Sequence, residues 1–231
     1  MLVQSLGSGF AENEAELIDL ANKGAADIPS WTGLVGAKAA QLAVFHDYPS
    51  MESPDWPVAL TIAGFGEHVA GLEPTLAALF GDPLFIEDAQ VRLLALEGTE
   101  VFGETNNGAE EAKATLQQLL DQTAPTSALG EVLAAGGVRE MIRQKPIAPA
   151  ALAEWTAALT TQFGALDEAQ GLRFRSSSTA EDIEDFNGAG LYEIHTGFLY
   201  PAEQPLKDQH KSIEWAILET WSSYYTFEAF E

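Results

Sequence analysis

Arg173-Phe174-Arg175-Ser176-Ser177-Ser178-Thr179-Ala180-Glu181-Asp182 is the stretch on which the reading of this chain turns. A basic strand end, Leu172 to Arg175, opens into four hydroxyl side chains and then two carboxylates. After a long loop the run Leu191 to Tyr200 reads as a second strand. Tyr192, Ile194, Thr196 and Phe198 fall on one face of it, and Glu193 and His195 on the other. Hydroxyl and backbone N–H donors at a strand end, joined to the planar fork of Arg175, are the groups that hold a phosphate. The same residues also fit an ordinary polar loop in which Arg175 pairs with Glu181 or Asp182.

Two further spots have phosphate-binding character. Gly33-Leu34-Val35-Gly36-Ala37-Lys38 leads into a helix expected from Ala39 to Phe45, which places Lys38 at a helix N-terminus. A lysine there opposes the helix dipole by roughly 0.3–1 kcal/mol. A bound anion would reverse the sign, because lysine and helix N–H groups would then act together. The segment lacks the spacing and the hydroxyl residue of a Walker A loop. A solvated lysine is the other reading. Phe186-Asn187-Gly188-Ala189-Gly190 has two glycines that permit either close approach to a ligand or a tight hairpin turn.

Elsewhere the pattern is mostly helical. Glu12 to Lys23 predicts a helix, with acids in its first turn, a lysine near its end and Gly24 as a stop. Ile28-Pro29-Ser30 reads as a chain break. Val58 to Ile62 predicts a buried strand, followed by a helix from Phe65 to Ala70. Helices are expected at 74–80, 85–96, 108–122, 127–143 and 149–163, with Gly136-Gly137 breaking or bending the fourth. Ser212 to Glu231 reads as an aromatic amphipathic helix with no closing signal, which suggests a chain that continues.

Composition narrows the function classes. The 231 residues hold 35 acidic and 11 basic side chains, a net charge of −24, so nucleic acid and anionic membranes are repelled. With no cysteine, disulfides and thiolate chemistry are excluded. There is no apolar run of about 18 residues and no secretory pattern at the N-terminus. None of His46, His68, His195 and His210 has metal-ligand spacing with another, and His195 reads as a structural residue rather than a phosphocarrier. No catalytic residue and no metal ligand is assigned within this chain.

Three elements together resemble one family. Val35-Gly36-Ala37-Lys38-Ala39-Ala40-Gln41-Leu42 is similar to the "GGK-x-(A/S)-x-L" element of pyruvate phosphate dikinase and phosphoenolpyruvate (PEP) synthase. Arg173 to Asp182 resembles their "(V/F)RSS-x-(T/N)-AED" element, and Phe186 to Tyr192 the loop after it, in the "FNGAGLY" form of bacterial PEP/pyruvate-binding-domain proteins. Trp221-Ser222-Ser223 matches the "W-x-S" core of the following helix.

The resemblance runs from about residue 31 to 231 and implies an α+β fold. This would be the N-terminal portion of an ATP-grasp-like nucleotide-binding domain with a largely helical middle insertion. Its parts would be a lysine-loop segment at 28–72, a helical segment at 73–165, and the arginine–serine loop, strands and aromatic helix at 166–231. It also implies a cytoplasmic, ATP-dependent dikinase that phosphorylates a histidine carrier domain and then pyruvate or another acceptor. By carry-over, Lys38 and Arg175 would contact ATP phosphates, Ser176, Ser177 and Thr179 would shape the arginine turn, and the Gly188–Gly190 loop would cover them.

The family loop has "GQ-x-x-T" where this chain has Gly188 to Tyr192, so no threonine contact carries over. The family's Mg2+-binding acid, its partner glutamine and a second arginine lie past the aromatic helix, so metal ligands are expected beyond residue 231. Alone, the 231 residues are expected to be inactive and to bind ATP weakly or not at all. Two other readings share these residues: a non-catalytic binding or assembly module of the same fold, and a glucan or antibiotic dikinase with a different acceptor.

Overall fold

The computed structural model describes residues 17–19, 28–45, 58–99, 106–164, 171–177, 191–200 and 211–231. These residues form an α+β structure, mostly helical, with two small antiparallel sheets of two strands each. The chain divides into two compact units, Met1–His68 with Ile147–Thr220, and Val69–Pro146 with Trp221–Glu231.

In the first unit, strand β1 (Leu17–Asp19) pairs with β2 (Val58–Leu60), Ile18 opposite Ala59. This corrects the helix expected across residues 12–23 at its described positions. The acids and lysine favoured a helix locally, but β2 needs partners for its backbone N–H and C=O groups, and pairing overrides so weak a preference. The rest of 12–23 lies outside the described residues.

A second correction concerns Ile28-Pro29-Ser30. It opens helix α1 (Ile28–Val35) instead of breaking the chain. Proline fits a first helical turn, where its missing N–H has no partner to lose. Helix α2 (Ala37–Phe45) follows after the single residue Gly36. Val35, Ala39, Ala40 and Ala59 form a buried cluster against which Leu34 and Leu42 pack. Strand β2 ends two residues earlier than expected, and helix α3 (Ile62–Ala70) begins three residues before Phe65. Helix α10 (Pro149–Phe163) buries Trp155 against Gly64, where an added Cβ would lie 3.1 Å from the indole.

The second sheet pairs β3 (Leu172–Arg175) with β4 (Ile194–Gly197), Arg173 opposite Thr196 and Phe174 opposite His195. Helix α11 (Ile213–Ser222) approaches Gly197 closely: a Cβ there would come within 2.8 Å of both Ala216 Cβ and the Ser212 carbonyl. Strand β4 is much shorter than the expected 191–200, and Ile194 is 43% exposed. The helix covers the Gly197 face, so tertiary packing, not the alternation of larger apolar side chains, decides which face is inside.

The second unit is built from short helices with strong local signals. Its helices are α4 (Glu73–Phe80), α5 (Pro83–Glu87), α6 (Ala89–Glu97), α7 (Asn106–Gln122), α8 (Ala128–Ala135) and α9 (Val138–Gln144). The helix expected at 85–96 is two helices, because Asp88 accepts from the N–H groups of Gln90 and Val91 and starts α6 afresh. Gly136 and Gly137, both at positive φ, separate α8 from α9 as expected. The aromatic terminal segment is three elements: α11, a 3-10 turn Ser223–Tyr225, and α12 (Phe227–Phe230). Phe230 joins Phe80 and Phe85 in one aromatic cluster, with ring centroids 5.3–5.6 Å apart.

Candidate functional site

Two of the three phosphate-like segments meet at the start of α2. Gly36 is the residue before that helix, and its carbonyl accepts the first intrahelical hydrogen bond, from Ala40 N–H, at 3.1 Å. A residue at this position normally caps the helix with its own side-chain oxygen, which glycine lacks. The cap comes instead from 138 residues away: Ser177 Oγ accepts from the Ala39 N–H at 2.9 Å.

The fit allows only glycine at position 36. Its φ is +80°, and a Cβ would stand 2.5 Å from the Ser177 carbonyl carbon and 2.6 Å from its oxygen. The arginine–serine segment is therefore seated directly on the helix N-terminus that carries Lys38.

Lys38, the second residue of α2, is half-buried. Its Nζ lies 5.9 Å from the centre of the Tyr192 ring, a cation–π contact near the outer limit of that interaction. Tyr192 follows the third segment, whose residues 186–190 lie outside the described ones.

The alternation of β3 sorts the two arginines and the serines. Arg173 and Arg175 lie on the exposed face, with Leu172 and Phe174 on the other. Arg173 is committed across the sheet, donating from Nη1 to Thr196 Oγ1 at 2.9 Å. Arg175 is exposed at the end of β3, two residues before the serine that caps α2. That separation spans at most about 7 Å of extended chain. Ser176 is buried, so it supports the turn from within, and Ser177 is half-buried at the cap. Thr179, Gly188 and Gly190 lie outside the described residues, as do Glu181 and Asp182.

One cluster escaped the sequence. Glu193, His195 and Glu219 bring their ligand-capable atoms within 4.8 Å of one another. The i, i+2 spacing of Glu193 and His195 was legible. Glu219 was not, because only the packing of α11 delivers it. In the second unit, a cavity of about 320 Å³ is lined by Asp88, Gln90, Thr115, Gln118 and Gln122, and none of the residues singled out in the sequence lines it. Among the described residues, no helix is long and apolar enough to cross a membrane. No family model, curated protein or solved structure matches the chain.

Proposed function

We propose that this chain is the ATP-binding part of a phosphotransferase of the PEP synthase and pyruvate phosphate dikinase kind. The observation that carries the reading is the clasp between Ser177 and the N-terminus of α2. It draws together two segments that the family uses jointly on ATP phosphates and that are remote in sequence. The local chemistry fits the ligand. Ala37 and Lys38 stand in the first turn of α2, where the helix dipole favours an anion. Lys38 and Arg175 supply the cationic charge that triphosphate would need inside so acidic a chain.

In this reading the domain is ATP-grasp-like and works in the cytoplasm on MgATP. Lys38 and Arg175 hold the phosphates, Ser177 fixes the helix, Ser176 supports the arginine turn, and Thr179, Gly188 and Gly190 belong to the loops around the nucleotide. Phosphoryl transfer depends mainly on positioning and charge neutralisation, which is what these residues contribute. Phosphate would pass to a histidine carrier domain and then to pyruvate or a related acceptor.

The test is an NMR titration of the 231-residue chain with MgATP up to about 10 mM, a range that captures binding as weak as about −3 to −4 kcal/mol. Resonances of Ala37, Lys38 and the Arg175 side chain should shift together, and Arg175→Ala should weaken the interaction at least tenfold. Shifts confined to other residues, or an Arg175→Ala titration whose shifts superimpose on those of the wild type, overturn the assignment.

A further inference from the structure

We propose that Glu193, His195 and Glu219 form a binding site for a divalent transition-metal ion of the Zn2+ kind. The site is separate in chemistry from the phosphate reading and does not depend on it.

The geometry follows from the sheet and the helix. Glu193 and His195 are two residues apart at the start of β4, so their side chains leave the same face. His195 pairs across the sheet with Phe174, which puts it on the face opposite Arg173 and Arg175. On α11, Trp215 and Glu219 are one helical turn apart and share a face. Trp215 meets the His195 ring edge-on, with centroids 5.3 Å apart, which orients the imidazole. The same helical face thus brings Glu219 to the strand pair.

His195 Nε2 and Glu193 Oε2 are 3.0 Å apart, and all three ligand atoms lie within 4.8 Å of one another. Nitrogen and oxygen ligands bound at about 2.0–2.2 Å to a tetrahedral Zn2+ are separated by about 3.3–3.5 Å. The first pair is already near that edge length, and the third ligand needs only a side-chain adjustment on the order of 1 Å to reach it. His195 is mostly buried and Glu193 is 40% exposed, so the group is anchored on one side and open to solvent on the other. An open position of this kind would admit water as a fourth ligand.

The donor set selects the ion. Two carboxylates and one neutral imidazole carry a formal charge of −2, which a divalent cation neutralises. The imidazole suits Zn2+ and its transition-metal neighbours, whereas Mg2+ and Ca2+ prefer oxygen ligands throughout.

The chain, stripped with chelator, is titrated with ZnCl2 by calorimetry, and Co2+ is used as a spectroscopic probe. One Zn2+ should bind per chain, and Co2+ should give a visible ligand-field band. His195→Ala and Glu219→Gln should each weaken Zn2+ at least tenfold and remove the band. Glu219→Gln preserves shape, and an unchanged circular dichroism spectrum separates a lost ligand from a lost fold. No binding, unchanged binding in both variants, or full displacement of Zn2+ by equimolar Mg2+ overturns the site.

Discussion

Replacing Gly36 with alanine tests the clasp at its narrowest point. Two costs add. A side chain at φ +80° carries a left-handed backbone penalty of roughly 1–2 kcal/mol. The new Cβ would also overlap backbone atoms of Ser177 at 2.5–2.6 Å, so the segment must move back, and Ser177 Oγ then leaves the Ala39 N–H. Losing a helix cap costs about 1 kcal/mol. The sum is about 2–3 kcal/mol, a large share of the stability of a typical domain. Urea unfolding followed by tryptophan fluorescence measures it. Ser177→Ala alone should cost only about 1 kcal/mol, because it removes the cap and leaves the backbone fit intact. In the double variant the cap is already gone, so Gly36→Ala should cost about 1 kcal/mol less than it does alone. A Gly36→Ala protein within about 0.5 kcal/mol of the wild type would refute the close approach.

Burial pushes the Tyr225 phenol up from 10.0 to about 12. The unfolded chain therefore ionises first, the folded state keeps the proton, and stability falls as pH rises from 10 towards 12. At about pH 11 the wild type should have lost on the order of 1 kcal/mol relative to its own value at pH 9, a loss absent in Tyr225→Phe when the two are compared by urea unfolding. In the second unit, Ser127 Oγ accepts from Gly130 N–H at 3.0 Å and donates to the Ala124 carbonyl at 2.8 Å. Ser127→Ala should lower stability by about 1 kcal/mol and speed amide exchange at Gly130, whereas unaltered exchange there would contradict the cap.

The legible parts of the fold were those written in local chemistry. Gly136-Gly137, Pro149 and the apolar run at Val58 each announce an element within a few residues, and the structure places a boundary or strand at each. Gly36 was visible as a glycine turn before Lys38. What made glycine necessary was not, because Ser177 is far away in sequence. The strand at Leu17–Asp19 failed for the same reason: its partner, Val58–Leu60, supplies hydrogen bonds that no local pattern encodes. Alternation showed that β4 has two faces, Glu193 and His195 on one of them, but not which one a later helix would cover. Glu219 entered its cluster by that same packing, which is why histidine spacing alone pointed to no metal.

The cap on α2 has a consequence for how the protein is made. The Ala39 amide is made long before the serine that caps it, with 138 residues to add from one to the other. At about 5–20 residues per second, that interval is roughly 7–28 s. A nine-residue helix is too short to hold itself together in water over that time. During synthesis the Lys38 turn is therefore a transient structure, and the capped end of α2 comes into being only when the later strand arrives. Nascent chains stalled before and after Ser177 should differ there in protease sensitivity, with the order of translation setting when the site first exists.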